Sequence, residues 1–183
     1  MTEAPPLERV SGKSLLRAND AQFSVLLSAV VKEDRDGVSK VMSIADDLPK
    51  ERRYAVSDAF AVLGRSAIEN MIPYIGGPAA QSSIATSTLI KIGLESVVPL
   101  IRICIQQPGL GGSSASHALL TIASHVDLDR ESESKSWDTR VQALLLLAYA
   151  YPDRPSVLDR LKRESVGTSS PELQQLVDWV MDR

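Results

Sequence analysis

Along this chain a small residue followed by a large apolar one recurs at a nearly fixed interval. Ala59-Phe60 and Thr88-Leu89 stand five and four residues before Gly64 and Gly93, two glycines 29 residues apart. Three further anchors fall at near-equal spacing, Asp34 upstream and Ala123 and Asp153 downstream. The small column reads Ala29, Ala59, Thr88, Ala118, Ala148, and the large column Val30, Phe60, Leu89, Leu119, Tyr149. Four residues past the anchors come Val38, Ile68, Val97, Asp127 and Val157, and eight past come Met42, Ile72, Ile101, Glu131 and Leu161. Positions three or four apart share one face of a helix, so each copy predicts two amphipathic helices joined near its anchor.

The first helices are predicted over 20–33, 50–63, 81–92, 113–124 and 138–151, and the second over 37–45, 67–75, 95–107 and 156–164. Small residues at a fixed place let neighbouring helices approach closely. Pro49, Pro78, Pro155 and Pro171 sit at or just before helix starts, where a missing N–H costs little. Asp36, Ser113, Ser136 and Ser170 are candidate N-caps, and Gly64, Gly93 and Gly76-Gly77 candidate stops. Pro108-Gly109 with Gly111-Gly112 ends the third hairpin. No segment alternates with period two, so no sheet is expected. A last helix, 171–182, carries Leu173, Leu176, Val177 and Val180 on one stripe and reads as a cap on the final hairpin.

The pattern lapses in the fourth copy. Its second helix would fall in 127–136, a charged, serine-rich stretch without a face to bury. The plain expectation is a solvated loop or short exposed helix; the sharper alternative is an acidic docking or phosphorylation segment. The expected organisation is a mobile, proline-bearing N-terminal segment over 1–12 and one helical-repeat domain over 13–183.

Composition supports helix. Only eight of 183 residues are aromatic, whereas strands favour aromatic and β-branched side chains. The net charge of −3 gives no global reason to bind nucleic acid or an anionic membrane. The single Cys104 makes no internal disulfide. The start Met1-Thr2-Glu3-Ala4-Pro5-Pro6 lacks the basic start and apolar run of a signal peptide, and no apolar stretch approaches ~20 residues. A cytoplasmic protein is expected.

Two segments carry a resemblance. Residues 50–64, KERRYAVSDAFAVLG, and 92–101, IGLESVVPLI, resemble the two halves of a HEAT-like repeat, of the short, about 30-residue kind also found in the phycobilisome-lyase group. Arg53 matches that pattern's arginine, and Asp138, Thr139 and Val141 match the start of a first helix, with Gln142 in the arginine's place. Phe23, Ser82 and Gly112 hold that column in the other copies, which speaks against an arginine ladder. The resemblance spans roughly residues 20–164. It implies an all-α solenoid of about five antiparallel hairpins with a C-terminal capping helix, a scaffold whose ligand the repeats leave open.

Chemistry is sparse. His117 and His125, eight apart, sit ~80° out of line on one helix, with no cysteine or histidine cluster beside them. Cys104, between Ile103 and Ile105, reads as a small core residue. Gly109-Leu110-Gly111-Gly112-Ser113-Ser114 opens a helix but lacks the lysine and preceding strand of a phosphate-binding loop. No catalytic residue, metal site or cofactor is expected.

If second helices line a concave face, the exposed positions there are the candidate strip for a protein or peptide partner: Lys40, Asn70, Tyr74, Arg102 and Lys162. The expected function is a non-catalytic protein-interaction or scaffold module. A bilin-chromophore lyase or chaperone is the first alternative, and a nucleic-acid-binding HEAT-like glycosylase the second, disfavoured by the acidic balance.

Overall fold

A computed structural model describes residues 10–33, 35–107, 109–166 and 170–183. The anchor Asp34, Pro108, and residues 1–9 of the segment expected to be mobile lie outside them. Within the described residues the chain is all-helical and contains no strand. In order the helices are α1 (Gly12–Arg17), α2 (Asp20–Val31), α3 (Arg35–Met42), α4 (Lys50–Ala61), α5 (Arg65–Met71), α6 (Ala79–Ile92), α7 (Val97–Gln106), α8 (Leu110–His125), α9 (Leu128–Glu131), α10 (Trp137–Ala150), α11 (Pro155–Val166) and α12 (Pro171–Met181). Short 3-10 turns occupy Ala45–Asp47, Ile72–Tyr74 and Gly93–Ser96.

The first-helix columns become the core. Val30, Phe60, Leu89, Leu119 and Tyr149 are all buried, as are Val38, Ile68, Val97 and Val157 from the second helices. First helices pack in chain order, α2 on α4, α4 on α6, α6 on α8, and α8 on α10. Beside them α3 touches α5, and α5 touches the turn that leads into α7. Thr88, in a column otherwise held by alanine, is fully buried; its hydroxyl donates to the Ile84 carbonyl at 2.8 Å and so is satisfied inside its own helix.

Caps follow the local chemistry. Ser136 and Ser170 accept from the N–H of Thr139 and Leu173, and Pro171 takes the first turn of α12. Ser113 does not cap: α8 begins three residues earlier, at Leu110, after Gly109 at φ +116. Residues 10–12 are placed as well. Val10 is buried, and Ser11 caps α1. Arg52 donates to the carbonyls of Leu15 and Ala18, tying α1 to α4.

The fourth copy of the sequence pattern has no long second helix. In place of a second helix it has the single turn α9, which buries only Leu128. Meanwhile α12 packs against α10 and α11 and reaches back to α7. Leu173, Leu176, Val177 and Val180 of this helix are buried. Its end is fastened by aromatic contacts: Tyr149 and Trp179 stack with centroids 6.1 Å apart, and the Arg183 guanidinium lies 4.0 Å from the Tyr149 centroid.

The acidic, serine-rich segment is held by three arginines. Arg140 donates to the Ser134 carbonyl, Arg154 pairs with Asp129, and Arg160 meets both the Ser132 carbonyl and Glu133. Ser132 is buried, with its hydroxyl donating to the Asp129 carbonyl. Arg140 also grips Glu164 with two hydrogen bonds, Nε to Oε1 at 2.7 Å and Nη2 to Oε2 at 3.1 Å. That contact, before all others, holds the Glu164 carboxyl below its ordinary value, and Glu164 in turn raises the Arg140 guanidinium. A depressed carboxyl contributes stability that is present above the unfolded value of about 4.3 and is lost as pH falls through the folded one. The stability gap between wild type and Glu164→Gln should therefore be full at neutral pH and close below about pH 4. Urea unfolding midpoints across that range check it; a gap that is constant with pH contradicts it.

Candidate functional site

The five strip residues have different local surroundings. Lys40 pairs with Glu33 across the turn between α2 and α3. The Asn70 amide donates to the Ser66 carbonyl at 3.1 Å, within its own helix. Tyr74 lies half-buried against the core in a 3-10 turn, and Lys162 is exposed on α11. Of these five, only Arg102 lines the large groove described next, and there it is paired with Glu172 of α12 at 2.6 Å.

That groove, of about 700 Å³, runs between α5, α7, the start of α10 and the start of α12. Its floor is aliphatic and buried: Ile68 from α5, Ile103 from α7, Val141 from α10, and Leu173 and Leu176 from α12. The rim is polar and exposed. Arg65 and Glu69 stand on α5, Glu95 on the turn before α7, Gln106 and Gln107 at its end, and Asp138 on α10. Trp137 sits on the same rim, 40% exposed. Behind it on α10, Arg140 holds Glu164.

Two of the walls have a local cause. Ser136 caps α10 and so places Trp137 and Asp138 in its first turn, with Val141 one turn on. Gly64, at φ +56, turns the chain from α4 into α5 and presents Arg65 and Glu69. The fourth wall is α12, brought in from the far end of the chain. Repeat spacing places Arg102 on a second helix, but it carries no information about α12, and this is why Trp137, Asp138 and Leu173 escape a reading by columns. The one local sign is a tryptophan directly after the capping serine at the lapse in the pattern.

The rim charges are unevenly matched. Once Glu172 is counted against Arg102, three carboxylates, Glu69, Glu95 and Asp138, face the single guanidinium of Arg65. None of these four makes an ion pair among the described residues.

The remaining chemical candidates resolve into packing. Burial pushes the Cys104 thiol up, with Tyr149 and Arg183 opposing it, so it stays protonated at neutral pH. His117 is exposed, and His125 bonds the Thr121 carbonyl at 2.7 Å. No group of three or more His, Cys, Asp or Glu side chains is placed to hold a metal among the described residues. In the glycine-rich turn a Cβ on Gly111 or Gly112 would collide with Gln107, and the Gly112 N–H already donates to the Gln107 carbonyl at 2.8 Å. Those glycines serve a tight α7–α8 connection. Among the described residues no helix is long and apolar enough to cross a membrane. A second, more apolar groove of about 560 Å³ lies along α1 and α2, beside the exposed Val25.

Comparison with known proteins gives no match: no protein-family model, no curated relative and no solved structure resembles this chain closely enough to count.

Proposed function

We propose that this chain is a non-catalytic protein-interaction module, a short HEAT-like solenoid of about five hairpins that holds a protein or peptide partner in the groove between α5, α7, α10 and α12. The observation that carries this reading is the groove's anatomy, a buried aliphatic floor ringed by exposed charged and amide side chains with an indole at the edge. An apolar centre within a polar rim is how protein interfaces are built, and tryptophan is among the residues that dominate their energetics. The serial packing of first helices supports the solenoid part, since stacked hairpins give a stiff, extended surface.

Among the groove's lining residues there is no histidine or cysteine to serve a nucleophile. Its unmatched carboxylates disfavour nucleic acid. The strip of Lys40, Asn70, Tyr74 and Lys162 has no part in this proposal; Arg102 stays in it as a wall residue.

The test is capture of partners from the cell of origin on immobilised protein, quantified by mass spectrometry, for wild type and for Trp137→Ala with Gln106→Ala. Both positions are exposed, so folding is expected to survive, and a matched melting curve verifies that. Partners held in the groove should fall by about tenfold or more. Recovery unchanged by the double variant would sink the reading.

A further inference from the structure

The rim and the indole specify the chemistry of the partner. We infer that the groove takes a peptide segment in which arginine or lysine stands beside aliphatic side chains. This rests on the interaction reading above and sharpens it.

The argument begins with the aromatic rings. Five of the eight are faced by a cation from this chain: Arg52 over Phe23, Lys50 and Lys91 by Tyr54, Arg154 over Tyr151, and Arg183 over both Tyr149 and Trp179. Phe60 is fully buried, and Tyr74 is packed against the core. Trp137 is different. It is 40% exposed, it lines the groove, and no cation lies over its ring among the described residues. An indole is the best of the aromatic faces for a guanidinium or ammonium group, and this one stands at the edge of the groove.

The rim charge points the same way. Glu69, Glu95 and Asp138 outnumber Arg65 after Arg102 is matched by Glu172. An incoming cation would meet the indole and Asp138 in adjacent positions of one helical turn, while Glu69 and Glu95 favour further positive charge along the opposite wall. An acidic segment would instead put like charges together around a partly desolvated groove, which costs affinity. The floor of Ile68, Ile103, Val141, Leu173 and Leu176 requires aliphatic side chains between the cations.

The experiment selects from a displayed library of random short peptides on the full-length protein and measures the winners by calorimetry and proton–nitrogen correlation spectra. Two tryptophans give two indole N–H resonances, from Trp137 on the rim and Trp179 stacked on Tyr149. Winners rich in Arg or Lys with Leu, Ile or Phe, moving the Trp137 resonance and not that of Trp179, are the expected result. Reversing charge with Glu69→Arg and Asp138→Arg, both exposed, should weaken them about tenfold. Acidic or neutral winners that still move Trp137 overturn the charge inference and leave the groove in place. Winners indifferent to the groove variants, or lost on Val25→Asp at the other groove, overturn the inference and the interaction reading together. A selection yielding no binder overturns the inference alone, since capture of the whole partner tests the groove independently.

Discussion

Ending the chain at Val166 is expected to leave a protein that keeps most of its helix and loses its sharp unfolding transition. The removed segment buries Leu173, Leu176, Val177 and Val180, each at most 8% exposed, against α7, α10 and α11. At about 1.5–3 kcal/mol per buried aliphatic side chain, that contact rivals the whole stability of an ordinary domain. The truncation also removes the Trp179 and Arg183 contacts to Tyr149 and opens the apolar floor of the groove to water. Far-UV circular dichroism, melting curves and dye binding distinguish the outcomes. Retained helix, a broad transition and strong dye binding are expected. A melting temperature within a few degrees of wild type would mean that α12 is a peripheral addition. The milder Leu176→Ala should cost about 2–5 kcal/mol, read from urea midpoints.

The second large effect is expected at Gly76, where two stretches of backbone nearly touch. Gly76 has φ +76, and a Cβ there would lie 2.5 Å from both the Cα and N of Gly111 in the first turn of α8. Neither contact is with a side chain that can swing away. Gly93 is the natural control, because it too lies at positive φ, +80, and a methyl group placed there would meet nothing within 4 Å. Gly93→Ala should cost only the backbone strain, about 1–3 kcal/mol. Gly76→Ala carries that strain and the collision, so its destabilisation should exceed that of Gly93→Ala by about 1–3 kcal/mol, as overpacking does elsewhere. Equal urea midpoints for the two variants would show that the Gly76–Gly111 approach relaxes freely.

How much of this is legible in the sequence depends on how local its cause is. The large column is fully legible: Val30, Phe60, Leu89, Leu119 and Tyr149 are at most 6% exposed, because a residue that recurs on one helix face is placed there by helix geometry alone. The lapse at Asp127 and Glu131 is legible too, as is the short, polar character of what replaces the helix. The position of α12 is not. Leu173 and Leu176 are amphipathic in any helix, and nothing in their spacing says that they reach back to α7. The same limit governs the site. Lys40 falls on a second helix as its spacing predicts, yet Glu33, seven residues earlier, claims it across a turn. Arg53, which matches the repeat arginine, donates to the Leu48 carbonyl five residues back and makes no ladder. Arg102 lines the groove, but the wall opposite it comes from the chain's end.

Hydrogen exchange read by mass spectrometry, on the full chain alone and bound to the partner that capture recovers, tests the interaction groove most directly. Slowed exchange should concentrate in α5, in residues 97–107, and at the starts of α10 and α12, with α1 and α2 unchanged. Protection confined to α1 and α2, or none on the four groove walls, would contradict it.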